Sequence, residues 1–263
     1  MNVETQAHLH SIIRSLLSEP RYLEKHRLLR HGAKVFSQAD EDGILAEIFR
    51  RIGQRGRTFV EFGVGNGLEC NSTWLLMQGW KGLWIEQAKV QCEAIRQSFS
   101  SFLDNKSLFL VEDRITSENI NRLIASAFPF GEIDLLSIDI DYNDYWIWQA
   151  IEVVAPRVVV IEYNASWIPP AAITVPYSAD RKWNGTNYFG ASLCALTKLG
   201  AEKGYALVGC TLSGVNAFFV RNDLLEENFH APGSAEEHYE PPRYYLCSLP
   251  SGHPPSVGPI DFI

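Results

Sequence analysis

The sequence predicts an α/β protein built on a doubly wound sheet of seven strands that finishes in an antiparallel hairpin. Three observations lead there. Apolar, β-branched runs alternate with helically spaced apolar residues through most of the chain. The first run ends in an acid and a glycine-rich turn, Glu61-Phe62-Gly63-Val64-Gly65-Asn66-Gly67. The last two runs, Tyr205 to Cys210 and Asn216 to Val220, are separated only by the turn around Leu212-Ser213-Gly214-Val215, so they pair antiparallel.

In chain order, Leu9, Ile12, Ile13, Leu16 and Leu17 predict a first helix, closed by Pro20. Ile44, Leu45, Ile48, Phe49 and Ile52 predict a second, after the acidic start Asp40-Glu41-Asp42, with Ser37 as a capping-box-like signal. Thr58 to Phe62 is the first strand, and Trp74 to Gly79 closes the helix after its turn. Gly82 to Glu86 and Ser107 to Val111 follow as strands, with Ile120, Leu123, Ile124 and Ala127 marking the next helix. Ile133 to Ile138 and Arg157 to Ile161 are apolar throughout, as central parallel strands covered on two faces should be. Residues 165–188 form a long Pro- and aromatic-rich connection of the kind that usually carries function. The organisation expected is a helical segment 1–53, a ligand-binding domain 54–229 and a Pro-rich arm 230–263, which holds seven of the 13 prolines. The arm packs on its own subunit or on a neighbour, the latter implying a homo-oligomer.

Composition narrows the function. A net charge of -8 disfavours nucleic acid, whose affinity rests on Lys and Arg neutralising phosphates. Five cysteines without a C-x-x-C pair suggest neither a zinc knuckle nor a disulfide framework, and a reducing cytoplasm is the expected compartment. No run of eighteen apolar residues predicts a membrane span.

The chemistry gathers where strands end, because open α/β sheets bind ligands at their carboxyl edge. Glu61 ends the first strand, Glu86 the second, and Asp113 follows the third. Glu86 is placed to accept hydrogen bonds from ribose hydroxyls and Asp113 to reach an adenine amino group. The plain alternatives are a tight turn, a surface carboxylate and a solvated loop acid. Asp139 and Asp141 follow the fourth strand, Glu162 and Asn164 the fifth. Their oxygens suit Mg²⁺ or Mn²⁺ better than zinc or copper. Alternatively Asp139 contacts an amino group of the cofactor or substrate, a carboxylate acts as general base, and Asp141 and Asn164 cap the following helix and turn. The aromatics Tyr142, Tyr145, Trp146 and Trp148 face either a ligand or the core. Arg181 and Lys182 stand among loop aromatics, where Lys182 is a candidate catalytic cation for an acidic acceptor. All seven histidines lie outside the sheet, so a histidine base would need a terminal segment to fold over the site.

The spacing E-x-G-x-G-x-G, with Leu68 where a dinucleotide turn has its third glycine, resembles motif I of the class I S-adenosylmethionine-dependent methyltransferases, whose sheet is Rossmann-like. The resemblance implies that Gly63, Gly65, Asn66 and Gly67 pass beneath S-adenosyl-L-methionine while Glu61 helps hold its amino-acid end. Asp139, Glu162 and Asn164 look similar to the metal ligands of catechol-type O-methyltransferases, although Tyr163 separates the acid from the amide. With Ser37 to Leu45, Gly79 to Glu86 and Asp139 to Trp146, the chain resembles an FkbM-like bacterial methyltransferase family over about residues 35–222. That implies O-methylation of a hydroxyl on a sugar, glycan or secondary metabolite. The competing expectations are a nicotinamide-dependent oxidoreductase and a non-catalytic protein that uses a cofactor fold to bind a partner.

Overall fold

In the computed structural model, which describes residues 3–127, 131–230, 233–247 and 252–263, seven strands form one sheet in the order β3-β2-β1-β4-β5-β8-β7. They are β1 (Thr58–Phe62), β2 (Lys81–Glu86), β3 (Leu108–Glu112), β4 (Gly131–Ile138), β5 (Val154–Glu162), β7 (Tyr205–Cys210) and β8 (Asn216–Arg221). The first five pair in parallel, and β8 runs antiparallel between β5 and β7. This is the doubly wound, Rossmann-like sheet with an antiparallel terminal hairpin that the alternation of runs predicts.

Alternation of side chains divides the core in two. Val60, Phe62, Leu83, Ile85, Leu136, Ile138, Val159 and Ile161 pack with α6 (Ile120–Ala125), α7 (Asp144–Ala150) and α8 (Leu193–Glu202). Phe59, Trp84, Leu135, Val158, Val160 and Phe218 face α2 (Glu41–Ile52), α3 (Thr73–Met77) and α4 (Lys89–Ser98), with α1 (Val3–Leu17) and α5 (Ser100–Asp104) at the margin. The order reverses at β1 and β4, so their carboxyl ends open a crevice between the two layers.

Three expectations change. Ser37 does not cap α2; the side chain of Asp42 folds back instead, and its Oδ2 accepts from the amides of Val35, Phe36 and Ser37 at 2.7, 2.7 and 2.9 Å and from Ser37 Oγ. A buried carboxylate with four donors is a stronger organiser than one cap. The long connection contains a short strand, β6 (Ile173–Thr174), which pairs antiparallel with β9 (Asp261–Phe262) from the end of the arm. The arm, with one helical turn α9 (Ala235–His238), therefore packs on its own chain: Arg243 N donates to Ser213 O at 2.8 Å, and a Cβ at Gly214 would lie 2.5 Å from Pro241 O. Among the described residues no helix is long and apolar enough to cross a membrane.

Candidate active site

A cleft of about 390 Å³ lies across the carboxyl edge, lined by Gly63, Gly65, Glu86, Asp113, Asp139 and Asp141 together with Arg114, Arg181 and Lys182. Beside it, sharing Gly63, Gly65 and Asp139 with it, a polar pocket of about 320 Å³ includes Glu61 and Asn66. A third cavity, about 130 Å³, is lined by Asp139, Asp141 and Glu162 below aromatic residues. Asp139 borders all three.

The turn is held by carboxylates. Glu61 is buried; its Oε1 accepts from Asn71 N at 2.8 Å and Ser137 Oγ at 3.1 Å, and its Oε2 accepts from Ser72 N at 2.9 Å and from Ser72 Oγ. Burial raises its pKa against these donors. Glu61 therefore ties the tip of β1 to the start of α3. Glu86 Oε2 accepts from Gly65 N at 2.9 Å and Oε1 from Ala88 N at 2.8 Å, which fixes the carboxylate at the cleft wall with lone pairs to spare.

The glycines play different parts. Gly63 (φ 68°) is required by contact, since a Cβ there would stand 1.7 Å from Asp139 O, whereas at Gly65 (φ 52°) a Cβ would meet nothing within 4 Å. Gly65 thus presents bare backbone to the cleft. Gly67 borders neither cavity; a Cβ on it would strike the Trp84 and Phe99 rings at 2.7 and 2.8 Å, so it serves packing rather than ligand approach. Asn66 Oδ1 closes the turn by accepting from Leu68 N at 3.0 Å. Asp113 lines the cleft but is also paired with Arg122 at 3.4 Å.

The strand-four and strand-five tips converge as expected, with one exchange. Asp139, Asp141 and Glu162 each place an oxygen within 4.8 Å of the others. Asn164 stands apart: its Nδ2 donates to Asn187 O and Phe189 O at 2.8 and 2.9 Å, and its Oδ1 accepts from Ser166 N at 3.0 Å. Its amide anchors the long connection, and Asp141 takes its place in the cluster. Asp141 has φ 66°, a conformation costly for a non-glycine residue, and does not cap α7. Burial, then the charge of Asp141, pushes the Asp139 pKa well above the usual carboxylate range. Burial, then Asp139, does the same for Glu162. Asp144, buried behind them with Oδ1 accepting from Ile140 N at 2.9 Å, is raised by burial to about 7.

The aromatics of α7 and of the turn before it point away from the cleft. Tyr145 and Trp148 are core; Trp146 Nε1 donates to Val175 O at 2.8 Å; and Tyr142 packs with Val175 and Tyr188 beneath the Arg181 guanidinium, 5.4 Å from the ring centroid. Lys182 is exposed at the rim. What the sequence reading missed is the arm: Tyr244 and His253 line the third cavity, where His253 packs against Trp183, Phe189 and Tyr244 at 4.8, 5.7 and 4.9 Å between centroids. Burial lowers the His253 pKa. The only signal for this was the density of Pro and Tyr after residue 230, which marks a packed segment without saying where it packs.

No protein-family model matches the sequence, and no curated protein matches it. Among solved structures the chain is similar to the magnesium protoporphyrin IX methyltransferase of Synechocystis PCC 6803 with bound SAH, at 13% identity over 81% of this chain and 99% of that one, TM-score 0.47. It is similar to a SAM-dependent methyltransferase from Aquifex aeolicus at 13% identity, over 80% and 95%, TM-score 0.41. It also spans 54% of the length of the pyocyanin biosynthetic protein PhzM, at 17% identity over 67% of this chain, TM-score 0.39. The fold rests on the strand order and registers of this chain, and none of these likenesses assigns it an activity.

Proposed function

We propose that the protein is an S-adenosylmethionine-dependent O-methyltransferase acting on a hydroxyl of a sugar, glycan or secondary metabolite, of the FkbM-like kind. The observation that carries this is one cleft in which the bare backbone at Gly65, a fixed Glu86 carboxylate and Asp139 meet at the switch in strand order. Three features support the cofactor: Glu86 offers two oriented oxygens to a ribose diol, Gly65 admits close approach, and Asp113 lines the same cleft as a partner for an adenine amino group.

When bound, the cofactor supplies an electrophilic methyl on sulfonium. The chain's own task is to place a hydroxyl in line with it, and alignment contributes much of the acceleration. Asp139, whose burial favours proton uptake, takes the hydroxyl proton, and Asp141 holds the hydroxyl beside it. Lys182 and Arg181 attract an acceptor that carries negative charge.

Asp139, Asp141 and Glu162 also fit a hard cation such as Mg²⁺ or Mn²⁺: three carboxylates face one another, and Glu162 Oε2 is buried without a hydrogen-bond partner. A cation there would lower the pKa of a hydroxyl ligand. An NAD-dependent oxidoreductase is the weaker reading, because Leu68 replaces the third glycine of the dinucleotide turn and Gly67 is spent on packing.

Calorimetric titration with S-adenosylhomocysteine and with NAD tests the assignment. Binding of the first alone is expected, and Glu86→Ala should weaken it at least about tenfold, the loss of charge-assisted hydrogen bonds. Binding of NAD alone, or of neither nucleoside, refutes it.

A further inference from the structure

Glu61 is expected to hold the amino-acid end of the cofactor, but its lone pairs are spent. Asn71 N, Ser72 N, Ser72 Oγ and Ser137 Oγ occupy both of its oxygens, so this carboxylate serves the fold. Other groups must meet that end of the ligand. The polar pocket beside the cleft carries acids on its wall, Glu69 and Asp139 among them, which suit an ammonium. Among the described residues that line it there is no Lys, Arg or His, so a carboxylate bound there depends on neutral donors. Five side-chain amides border the pocket. Asn71 Nδ2 donates to Ser137 Oγ and Asn216 Nδ2 to Glu41 Oε1, each at 3.0 Å, and Asn66 is tied into the glycine turn through its Oδ1. Gln38 and Gln91 remain.

Position separates these two. Gln91 lines the pocket and the cleft, whereas Gln38 lines the pocket and the small cavity of Asp139, Asp141 and Glu162, but not the cleft. Gln38 is also set in a rigid frame. Asp42 Oδ2 accepts from the amides of Val35, Phe36 and Ser37, Glu41 Oε2 accepts from Ala39 N at 2.8 Å, and both acids are buried. Through Asn216 of β8, Glu41 ties this frame to the sheet. Between its clamped neighbours Gln38 is exposed, and among the described residues its side-chain amide makes no hydrogen bond. Two buried carboxylates, costly to desolvate, thus fix a side chain that contributes nothing to the fold. Lys34, on the same loop, lines a separate cavity beside α1 and turns its Nζ to Gln38 O at 3.0 Å.

We propose that Gln38 binds the α-carboxylate of the cofactor's amino-acid end through its carboxamide N–H, so that a zwitterion is selected without a cation on the pocket wall. With the nucleoside in the cleft, the amino-acid chain leads away from the ribose, and its terminal carboxylate arrives on the Gln38 side of the pocket. The role rests on the methyltransferase reading, and it gives the segment Ser37 to Asp42 a function that methyl transfer itself leaves open.

The test titrates the full chain calorimetrically with S-adenosylhomocysteine and with 5′-methylthioadenosine, which keeps the nucleoside and the thioether but lacks the amino acid. Wild type should bind S-adenosylhomocysteine more tightly. In Gln38→Ala that affinity should fall about tenfold, the loss of a hydrogen bond to a charged group, while the affinity for 5′-methylthioadenosine stays at its wild-type value. Gln38→Glu should weaken S-adenosylhomocysteine further than Gln38→Ala, because it sets one carboxylate against another. Gln38→Ala should melt at the wild-type temperature, since the side chain is exposed and unbonded. Undiminished S-adenosylhomocysteine binding in Gln38→Ala, an equal loss for both nucleosides, a clear fall in its melting temperature, or the selective loss appearing in Lys34→Ala instead would each overturn the role of Gln38 and leave the cofactor in place. Wild type that binds neither nucleoside refutes the role together with the methyltransferase reading.

Discussion

Gly63 and Gly65 sit two residues apart in the same turn, both left-handed, yet they should respond oppositely to the same substitution. Gly63→Ala drives a Cβ into the carbonyl of Asp139, 1.7 Å away, and neither strand tip can yield without breaking the β1–β4 edge. About 3 kcal/mol or more of stability should be lost, combining strain and overpacking. Gly65→Ala meets open space and costs only the left-handed conformation, about 1 kcal/mol. Its methyl nevertheless projects where a ligand would lie, so S-adenosylhomocysteine affinity should fall while the fold survives. Urea melts alongside calorimetry decide this; equal destabilisation of the two variants would contradict the geometry. Asp139→Asn keeps the size of the side chain but removes the proton acceptor, and single-turnover methyl transfer should slow by about 10² or more. A normal rate in that variant would take Asp139 out of the chemistry.

At the scale of elements, the five parallel strands were legible in the sequence because each is an apolar run ended by an acid or a glycine, and the sheet buries both faces of β4 and β5. The carboxyl-edge acids Glu61, Glu86 and Asp139 followed from strand ends alone. The place of the arm was not legible, because it depends on long-range contacts such as β6 with β9 and Asn187 N with Pro254 O, which leave no local period. For the same reason Asn164 reads as a ligand in sequence and proves to be an anchor. The arm has its own titration. His238, on α9, is buried against His230 O at 3.2 Å near Arg27, and burial first, then Arg27, lowers its pKa from 6.5 to about 3. A depressed pKa means the folded protein holds this ring neutral while the unfolded chain binds a proton. The stability is therefore complete above pH 6.5 and is lost as pH falls toward 3. Between pH 7 and 4.5 the loss from this group should be on the order of 2 kcal/mol. His238→Gln removes that increment from the difference between urea melts at the two pH values; an unchanged difference would show that His238 is free to protonate in the fold.

On the scale of the whole molecule, the sheet assembles acids faster than it neutralises them. Asp139, Asp141, Asp144 and Glu162 gather at one edge of a chain whose net charge is -8, and among the described residues none of them forms an ion pair with the cleft cations Arg114, Arg181 and Lys182. Burial makes each added charge expensive, so the fold carries a repulsive knot that stability alone would not retain. Proteins keep such knots where a bound partner relieves them. If that partner is a divalent cation, Mg²⁺ or Mn²⁺ at tenfold its Kd stabilises the folded state by about 1.4 kcal/mol, roughly 3–5 °C in melting temperature for a chain of this size. Removing one charge by Glu162→Gln should raise the melting temperature without metal and abolish the metal-induced rise, because the variant has less repulsion to relieve and one ligand fewer. Melts of both proteins with and without the cation measure this directly. A wild-type protein indifferent to Mg²⁺ and Mn²⁺, with Glu162→Gln still more stable, would leave the repulsion real and assign its relief to the hydroxyls of the acceptor instead.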